Sequence, residues 1–196
     1  MSETTIIEAN YRTKLGTKMH RSFILGISLW FALFSAVYLG VALFSELRFS
    51  YYSVPLVSFL IWICVVDTAQ LRIPNGAILS IVALGIVYLS FEKPELVTVH
   101  LMASTGILVS TYLVLKIIAF FSENSGFGNG DVKLVAASTI WLGIPTIFTA
   151  IFVALSSGLI VAMVSILAGK ETINSRRPFG PFLSLGLWYA WLTTQI

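Results

Sequence analysis

Apolar runs long enough to cross a lipid bilayer recur along most of this chain, and they restrict its fold more than any other feature. The first covers residues 22–44, and further runs cover 54–66, 76–91, 96–121 and 131–169. A helix needs about 20 predominantly apolar residues to cross a bilayer, and only helices and closed barrels satisfy their backbone hydrogen bonds there. We therefore predict an all-α fold: a polytopic transmembrane helical bundle with six or seven apolar segments.

The composition supports a membrane protein and disfavours a nucleic-acid partner. Charged residues make up 11% of the 196 residues, whereas soluble domains carry about 25%. The net charge is +3, but the basic residues are scattered between apolar runs, where they serve to orient helices in the bilayer. Residues 1–21 are predicted to be a basic cytoplasmic segment, followed by a single transmembrane domain over residues 22–196. The first apolar run has no cleavage site and is expected to remain as a helix.

The number of crossings depends on the apolar stretch 131–169, which is broken at Gly143-Ile144-Pro145. If this stretch crosses twice, ten lysine and arginine residues lie on the cytoplasmic side and two outside; if it crosses once, the numbers are seven and five. Cytoplasmic loops carry an excess of these residues, so two crossings are favoured, with a short first one over 131–142. A last span is predicted over residues 179–194, with an aromatic belt at the membrane surface: Trp188, Tyr189 and Trp191.

On this topology the only two aspartates of the chain, Asp67 and Asp131, reach the same cytoplasmic face. Ionisable residues at membrane depth cost about 2.5–3.5 kcal/mol, so they tend to be functional. Two nearby carboxyls share a proton, and one can then accept a proton from water while the other donates to a carbonyl oxygen. This pattern predicts hydrolysis of the aspartic-protease kind.

Other interpretations of the two aspartates remain open. Each aspartate can simply cap a helix end. In a small transporter or channel, the pair would instead bind a proton or a cation between helices. A third alternative is a non-catalytic assembly component, in which both positions tolerate asparagine.

Three glycines at alternate positions, Gly126, Gly128 and Gly130, directly precede Asp131. Because they carry no side chains, a substrate backbone could approach the acid along this loop. A phosphate site is disfavoured, since an acid stands at the helix start and the lysine of a P-loop is absent from its place. Lys133 is expected to anchor the helix at the membrane surface.

No metal or other cofactor is expected. The single cysteine, Cys64, lies within an apolar run and excludes a multi-cysteine zinc site or an intrachain disulfide. His100 has no second metal-binding side chain at helical spacing, so a satisfied or interfacial histidine is predicted.

Three blocks of sequence carry a family resemblance. The first is Asp67 with the downstream Ile73-Pro74-Asn75, and the second is Gly128-Asn129-Gly130-Asp131 with Lys133 after it. The third is Pro178-Phe179-Gly180-Pro181, which leads into the last helix. In their order and spacing these blocks resemble the type IV prepilin peptidase family, whose second aspartate lies in a GxGD motif.

The resemblance implies an aspartic peptidase of the bacterial inner membrane that removes the basic leader of prepilin-like proteins at the cytoplasmic face. Asp67 and Asp131 would be its catalytic pair, with supporting roles for Pro74, Asn75 and Lys133. Lipid and prepilin-like substrates are the partners implied.

Larger members of the family carry a cytoplasmic insert with paired cysteines and an N-methyltransferase activity. One cysteine and a nine-residue first loop leave no space for this insert, which implies a peptidase-only form similar to the small enzymes of Tad/Flp pilus systems. Presenilin-like enzymes share the GxGD motif but have a tyrosine before the first aspartate, where this chain has Val66, so they are a distant alternative.

Overall fold

The computed structural model describes residues 25–43, 50–121, 128–169 and 177–196. Gly126 and the basic segment 1–21 lie outside the described residues. The described part contains a short 3-10 turn, Pro94–Leu96, and six α-helices: α1 Leu25–Leu43, α2 Ser53–Gln70, α3 Asn75–Glu92, α4 Val97–Phe121, α5 Asn129–Leu167 and α6 Gly180–Thr193. No strand occurs in these residues. The predicted all-α bundle is confirmed.

Five of the helices, α1 to α5, are long and apolar enough to cross a membrane. This count is lower than the predicted six or seven apolar segments for two reasons. The stretch predicted to cross twice forms one helical element of 39 residues, and α6 has only 14 residues. The side chains that face away from the bundle are largely apolar, as in Leu79, Phe148 and Phe152, which are 64–70% exposed. Such a surface suits lipid better than water.

A sharp kink divides α5 at Gly143, whose φ of 70° lies in the left-handed region that glycine adopts without penalty. Pro145 follows two positions later and has no amide hydrogen to continue the helical ladder. The Nδ1–H of His100 in α4 donates to the carbonyl oxygen of Ile140, at 2.8 Å. His100 is therefore a satisfied histidine, as predicted, and its ring fills the space where a side chain at Gly143 would lie.

The two halves of α5 run in opposite directions. At its start, Gly130 lies against Ile73, which follows α2. At the kink, Trp141 packs on Trp191 near the end of α6, with ring centroids 4.9 Å apart. Beyond the kink, Gly158 packs beside Phe182 near the beginning of α6. Hence α5 passes from one end of the bundle to the other and returns.

These contacts define two ends of the bundle, which we call the aspartate end and the aromatic end. The aspartate end contains Asp67, Asp131 and Gly180. The aromatic end contains Tyr88, Trp141 and Trp191, where Tyr88 stacks on Trp141 at 5.4 Å and meets Trp191 edge-on at 4.8 Å. Offset and edge-to-face pairs of this kind stabilise packing beyond their buried area. The cluster fixes α3, α5 and α6 to one another.

The indole groups of Trp141, Trp188 and Trp191 are also hydrogen-bonded. Trp141 Nε1 donates to the carbonyl of Ile81 at 2.9 Å, and Trp191 Nε1 donates to Ser53 Oγ at 3.2 Å. Trp188 Nε1 donates to the carbonyl of Phe34 in α1. Trp188 and Trp191 are 3% and 0% exposed, so the predicted aromatic belt at the membrane surface is wrong for these two residues. Their indole N–H groups find protein partners inside the bundle instead.

We expect Trp141→Ala to lower the free energy of unfolding by about 3–5 kcal/mol, the usual cost of removing a buried tryptophan side chain. The loss combines a cavity at the aromatic end with the missing hydrogen bond to the carbonyl of Ile81. Denaturant unfolding in detergent micelles measures it. The matched control is Trp62→Ala, at a tryptophan that is 44% exposed, which should change stability by less than about 1 kcal/mol. Equal effects of the two substitutions would contradict the role of the aromatic end.

Candidate active site

The three sequence blocks, which are far apart in the chain, meet at the aspartate end. Lys133 Nζ of the second block donates to Asn75 Oδ1 of the first, 58 positions away, at 3.1 Å. Gly180 of the third block donates its backbone N–H to Asp67, 113 positions away, at 2.9 Å. These contacts bring the amino ends of α3, α5 and α6 and the carboxyl end of α2 to one place.

Asp67 lies in the last turn of α2 and is only 5% exposed. The helix ends after Gln70 because Leu71 adopts a left-handed conformation, with φ 52°, and returns its N–H to the carbonyl of Asp67. This C-terminal turn holds the backbone of Asp67. Its side chain is held separately, since Oδ2 accepts the hydrogen bond from Gly180 at the amino end of α6.

Asp131 is the third residue of α5 and is partly buried. Its Oδ2 accepts a hydrogen bond from the backbone N–H of Gly128, the residue before the helix, at 3.3 Å. This is the carboxylate half of a capping box. Both aspartates therefore act as helix caps: Asp131 caps its own helix, α5, and Asp67 caps the amino end of α6. Each carboxylate faces the amino end of a helix, where backbone dipoles favour negative charge.

The two aspartates are neighbours without direct packing of their helices. No Cα atom of α2 lies within 8 Å of a Cα atom of α5. Both carboxyls nevertheless lie at the same end of the bundle, because Gly130, next to Asp131, lies against Ile73, six residues after Asp67. No hydrogen bond joins the two carboxyls among the described residues. There each carboxylate makes one hydrogen bond, through Oδ2, so the site contains two separately supported acids.

Steric contacts explain why positions 128 and 130, just before Asp131, are occupied by glycine. A Cβ at Gly130 would lie 3.1 Å from Ile73, so the missing side chain makes room for the 71–74 loop. A Cβ at Gly128 would lie 3.1 Å from Asp131 Oδ2, so its absence lets the carboxylate reach the helix end. The prediction that a substrate approaches along these glycines stays a prediction at Gly128, which is exposed. At Gly130 the structure gives packing as the reason.

The supporting residues form the link between the first two blocks. Pro74 precedes α3 in an extended conformation, and its carbonyl accepts the N–H groups of Ala77 and Ile78. Proline suits this place because it needs no hydrogen-bond acceptor for an amide. Asn75 then begins α3 and holds the ammonium group of Lys133. Lys133 was predicted as a membrane-surface anchor, and the structure gives it a protein partner.

Gly180 is the residue of this site that sequence reasoning missed. It was recognised as part of the third block but was given no role. The signal was a glycine placed between two prolines, Pro178 and Pro181, directly before an apolar helix. A contact with a residue 113 positions away has no trace in the sequence alone. Among the described residues, no three histidine, cysteine or acidic side chains are grouped as metal ligands would be.

Comparison with known proteins places these residues in a family. The sequence profile of the type IV leader peptidase family matches residues 54–163. A prepilin leader peptidase/N-methyltransferase of Pectobacterium carotovorum subsp. carotovorum is 32% identical over 132 residues, which are 67% of this chain and 47% of the relative. The protein of that name from Neisseria gonorrhoeae is 31% identical over 134 residues, 68% of this chain and 45% of the relative.

A third relative of the same name, from Escherichia coli K12, is 29% identical over 133 residues, 65% of this chain and 56% of the relative. The chain thus spans about half the length of the curated relatives it matches. No solved structure matches it significantly. Its apolar helices and this similarity make it a multi-pass membrane protein. The matched region covers more than half of the chain and both aspartates, and the chain belongs to the type IV leader peptidase family.

Proposed function

We propose that this protein is an aspartic-type leader peptidase that removes the basic leader of type IV prepilin-like proteins. The single observation that carries the proposal is the position of its only two aspartates. Both lie at one end of an apolar helical bundle, and both fall within the residues matched by the family. The family match does not favour the transporter or channel alternative.

The chemistry requires one carboxylate and one carboxylic acid. The carboxylate takes a proton from water, and the water oxygen forms a bond to the scissile carbonyl carbon. The acid gives its proton to the carbonyl oxygen. When the tetrahedral intermediate collapses, the C–N bond breaks and the leaving nitrogen receives a proton from the pair. The two carboxyls share one proton as a pair, so neither Asp67 nor Asp131 is assigned as the base.

The geometry of the hydrogen bonds suits this division of labour. Each aspartate uses Oδ2 for a backbone amide, which leaves the other oxygen for water, substrate or its partner acid. Because both amides belong to helix ends, the two side chains are supported by different rigid elements.

We further propose that the aspartate end faces the cytoplasm of a bacterial inner membrane. The supporting observation is the excess of lysine and arginine expected on that side. The amino end of α1 also lies at this end, since a Cβ at Gly26 would be 3.9 Å from Val65, and four basic residues precede it: Arg12, Lys14, Lys18 and Arg21. A basic leader would meet an acidic site there.

The proposal is restricted to leader cleavage, without N-methyl transfer. The relatives carry both activities in their names, whereas the loop between the first two apolar runs of this chain has nine residues. Its single cysteine, Cys64, is buried within α2 and cannot supply a cysteine pair.

We expect Asp67→Asn and Asp131→Asn each to reduce leader cleavage by at least about 100-fold, the lower range for loss of a general acid or base. Asparagine keeps the size of each side chain and can still accept from the backbone amide, so both variants should accumulate in the membrane. Cleavage is measured in detergent-solubilised membranes with a prepilin-like substrate that has a basic leader and a glycine before its apolar helix.

The matched control is Glu92→Gln, which neutralises an exposed acid at the carboxyl end of α3, away from the site. It should retain cleavage within about twofold, as for a surface substitution. Full activity in either aspartate variant would refute the catalytic pair. Ion or solute flux that depends on both aspartates in liposomes, without proteolysis, would favour a transporter instead.

The contact between Lys133 and Asn75 yields a separate prediction. We expect Lys133→Met to lower cleavage by about 2- to 10-fold, equivalent to one hydrogen bond, because it loosens the 71–74 loop against α5. Asn75→Leu should have the same effect, and the double variant should be no worse than either single one. Asn75→Asp, which still accepts from Lys133, should retain activity. Additive losses in the double variant would show that the two residues act independently.

A further inference from the structure

We propose that the amino end of α6 is a third component of the catalytic site, with the Gly180 amide as the group that positions the Asp67 carboxyl for catalysis. This inference rests on the proposed function and adds a positioning residue that touches a catalytic acid but not the substrate. Three independent observations at the start of α6 support it.

The first observation concerns the supply of hydrogen-bond donors. A helix begins with several amides that have no partner within the helix. In α6, Pro181 has no amide hydrogen, while the N–H groups of Phe182 and Leu183 both donate to the carbonyl of Phe179. From Gly180 to Leu183, only the Gly180 N–H is left for a partner outside the helix. That partner is Asp67 Oδ2, at 2.9 Å.

The second observation explains why this residue is a glycine. Gly180 does not have a positive φ, so its backbone conformation is open to any residue. A Cβ built at Gly180 would instead lie 2.8, 3.1 and 3.3 Å from Oδ2, Cγ and Cβ of Asp67. The three nearest atoms all belong to Asp67. Asp67 is thus the closest obstacle to a side chain at position 180, and any side chain there would push the carboxyl away.

The third observation is that α2 and α6 are joined at both ends. At the aromatic end, Trp191 Nε1 donates to Ser53 Oγ, and at the aspartate end Gly180 donates to Asp67. The buried Trp191 fixes α6 against α2 at the aromatic end. Because α6 is one continuous helix, this contact also helps to orient the Gly180 N–H toward Asp67 at the other end. A carboxyl held in this way has little freedom to leave the geometry that the reaction needs.

A purely structural role is the competing explanation, since a carboxylate that caps a helix can stabilise the fold. The two explanations differ in what Gly180→Ala should change. The closest contact of the added methyl group is with Asp67 Oδ2, at the end of a side chain that can rotate, and alanine is a better helix former than glycine. The fold should therefore tolerate the substitution while the carboxyl is displaced.

The experiment compares Gly180→Ala with the wild-type chain in detergent, using the prepilin-like substrate described above. We expect kcat to fall by at least about tenfold, comparable to the loss of one well-placed contact, with KM unchanged within twofold. The midpoint of thermal unfolding should stay within about 2 °C, which corresponds to a small stability change for a chain of this size. Unchanged kcat, or a lower unfolding midpoint with full activity per folded molecule, would overturn the inference.

Two other glycines provide matched controls. Gly158→Ala adds a methyl group in α5 that meets Phe182 and Phe179 at 3.5–3.6 Å, an ordinary contact that leaves Asp67 untouched. Gly106→Ala in α4 adds a methyl group to open space. Both should keep kcat within about twofold. If Gly158→Ala lost as much kcat as Gly180→Ala, the packing of α6 rather than its contact with Asp67 would be responsible.

A second measurement separates this inference from the proposed function. Carbodiimides label carboxyls, and the two aspartates are distinguished by peptide mass spectrometry. Gly180→Ala keeps the backbone amide but pushes the Asp67 carboxyl away from it, so the labelling of Asp67 should increase by about fivefold, as expected for the loss of one hydrogen bond, with Asp131 unchanged. If the wild-type chain cleaves no leader, the proposed function fails, but unchanged Asp67 labelling in Gly180→Ala is what would refute the positioning contact.

Discussion

A helix that begins inside an apolar bundle has amide groups that lipid cannot satisfy, and this constraint organises the whole aspartate end. Two helices begin there with an amide that needs an acceptor: Gly128 before α5 and Gly180 in α6. Each amide is taken by an aspartate, one from the same helix and one from α2. The polar groups of the candidate site are therefore also the caps of the bundle. The same requirement acts at the kink of α5, where His100 supplies a donor to the carbonyl of Ile140.

The two ends of the bundle differ in how they are held together. At the aromatic end, large rings fill the space between helices and their indole N–H groups bind carbonyl or hydroxyl oxygens. At the aspartate end, small residues and single hydrogen bonds connect the helices, and Lys133 and Asn75 are both exposed. Dense aromatic packing resists deformation, whereas contacts that rest on one hydrogen bond can open for a ligand. The aromatic end thus contributes most to the rigidity of the bundle, and the aspartate end is the one that can admit a ligand.

Much of this arrangement could be predicted from the sequence, because the signals are local. Apolar runs of about 20 residues specify membrane helices. Asp67 and Asp131 are conspicuous because acids are rare in such a chain. The break at Gly143 was also visible as a Gly-x-Pro pattern. The six or seven predicted apolar segments exceed the five helices that are long enough to span, since hydropathy does not reveal that α6 stops after 14 residues or that the halves of α5 form one kinked element.

The contacts that sequence reasoning missed are all between distant residues. The prediction that Trp188 and Trp191 lie at the membrane surface is wrong because an indole ring suits both a membrane interface and a protein core. The hydrogen bonds to Phe34 and Ser53 show that both rings lie in the core. Gly180 was seen as part of a motif, but the carboxyl that excludes its side chain belongs to another helix. Glycine beside proline has several local explanations, and none of them points to Asp67.

The double use of the aspartates links the reaction to the order of the bundle. An ionised carboxylate accepts a stronger hydrogen bond from an amide than a neutral carboxyl does. In the proposed reaction a proton passes between water, substrate and the two acids, so each transfer weakens the hold on one helix end as it strengthens the hold on the other. The hydrogen bonds at the beginnings of α5 and α6 would then change strength in opposite senses during a catalytic cycle. Peptide hydrolysis would thus be coupled to the stability of two helix termini.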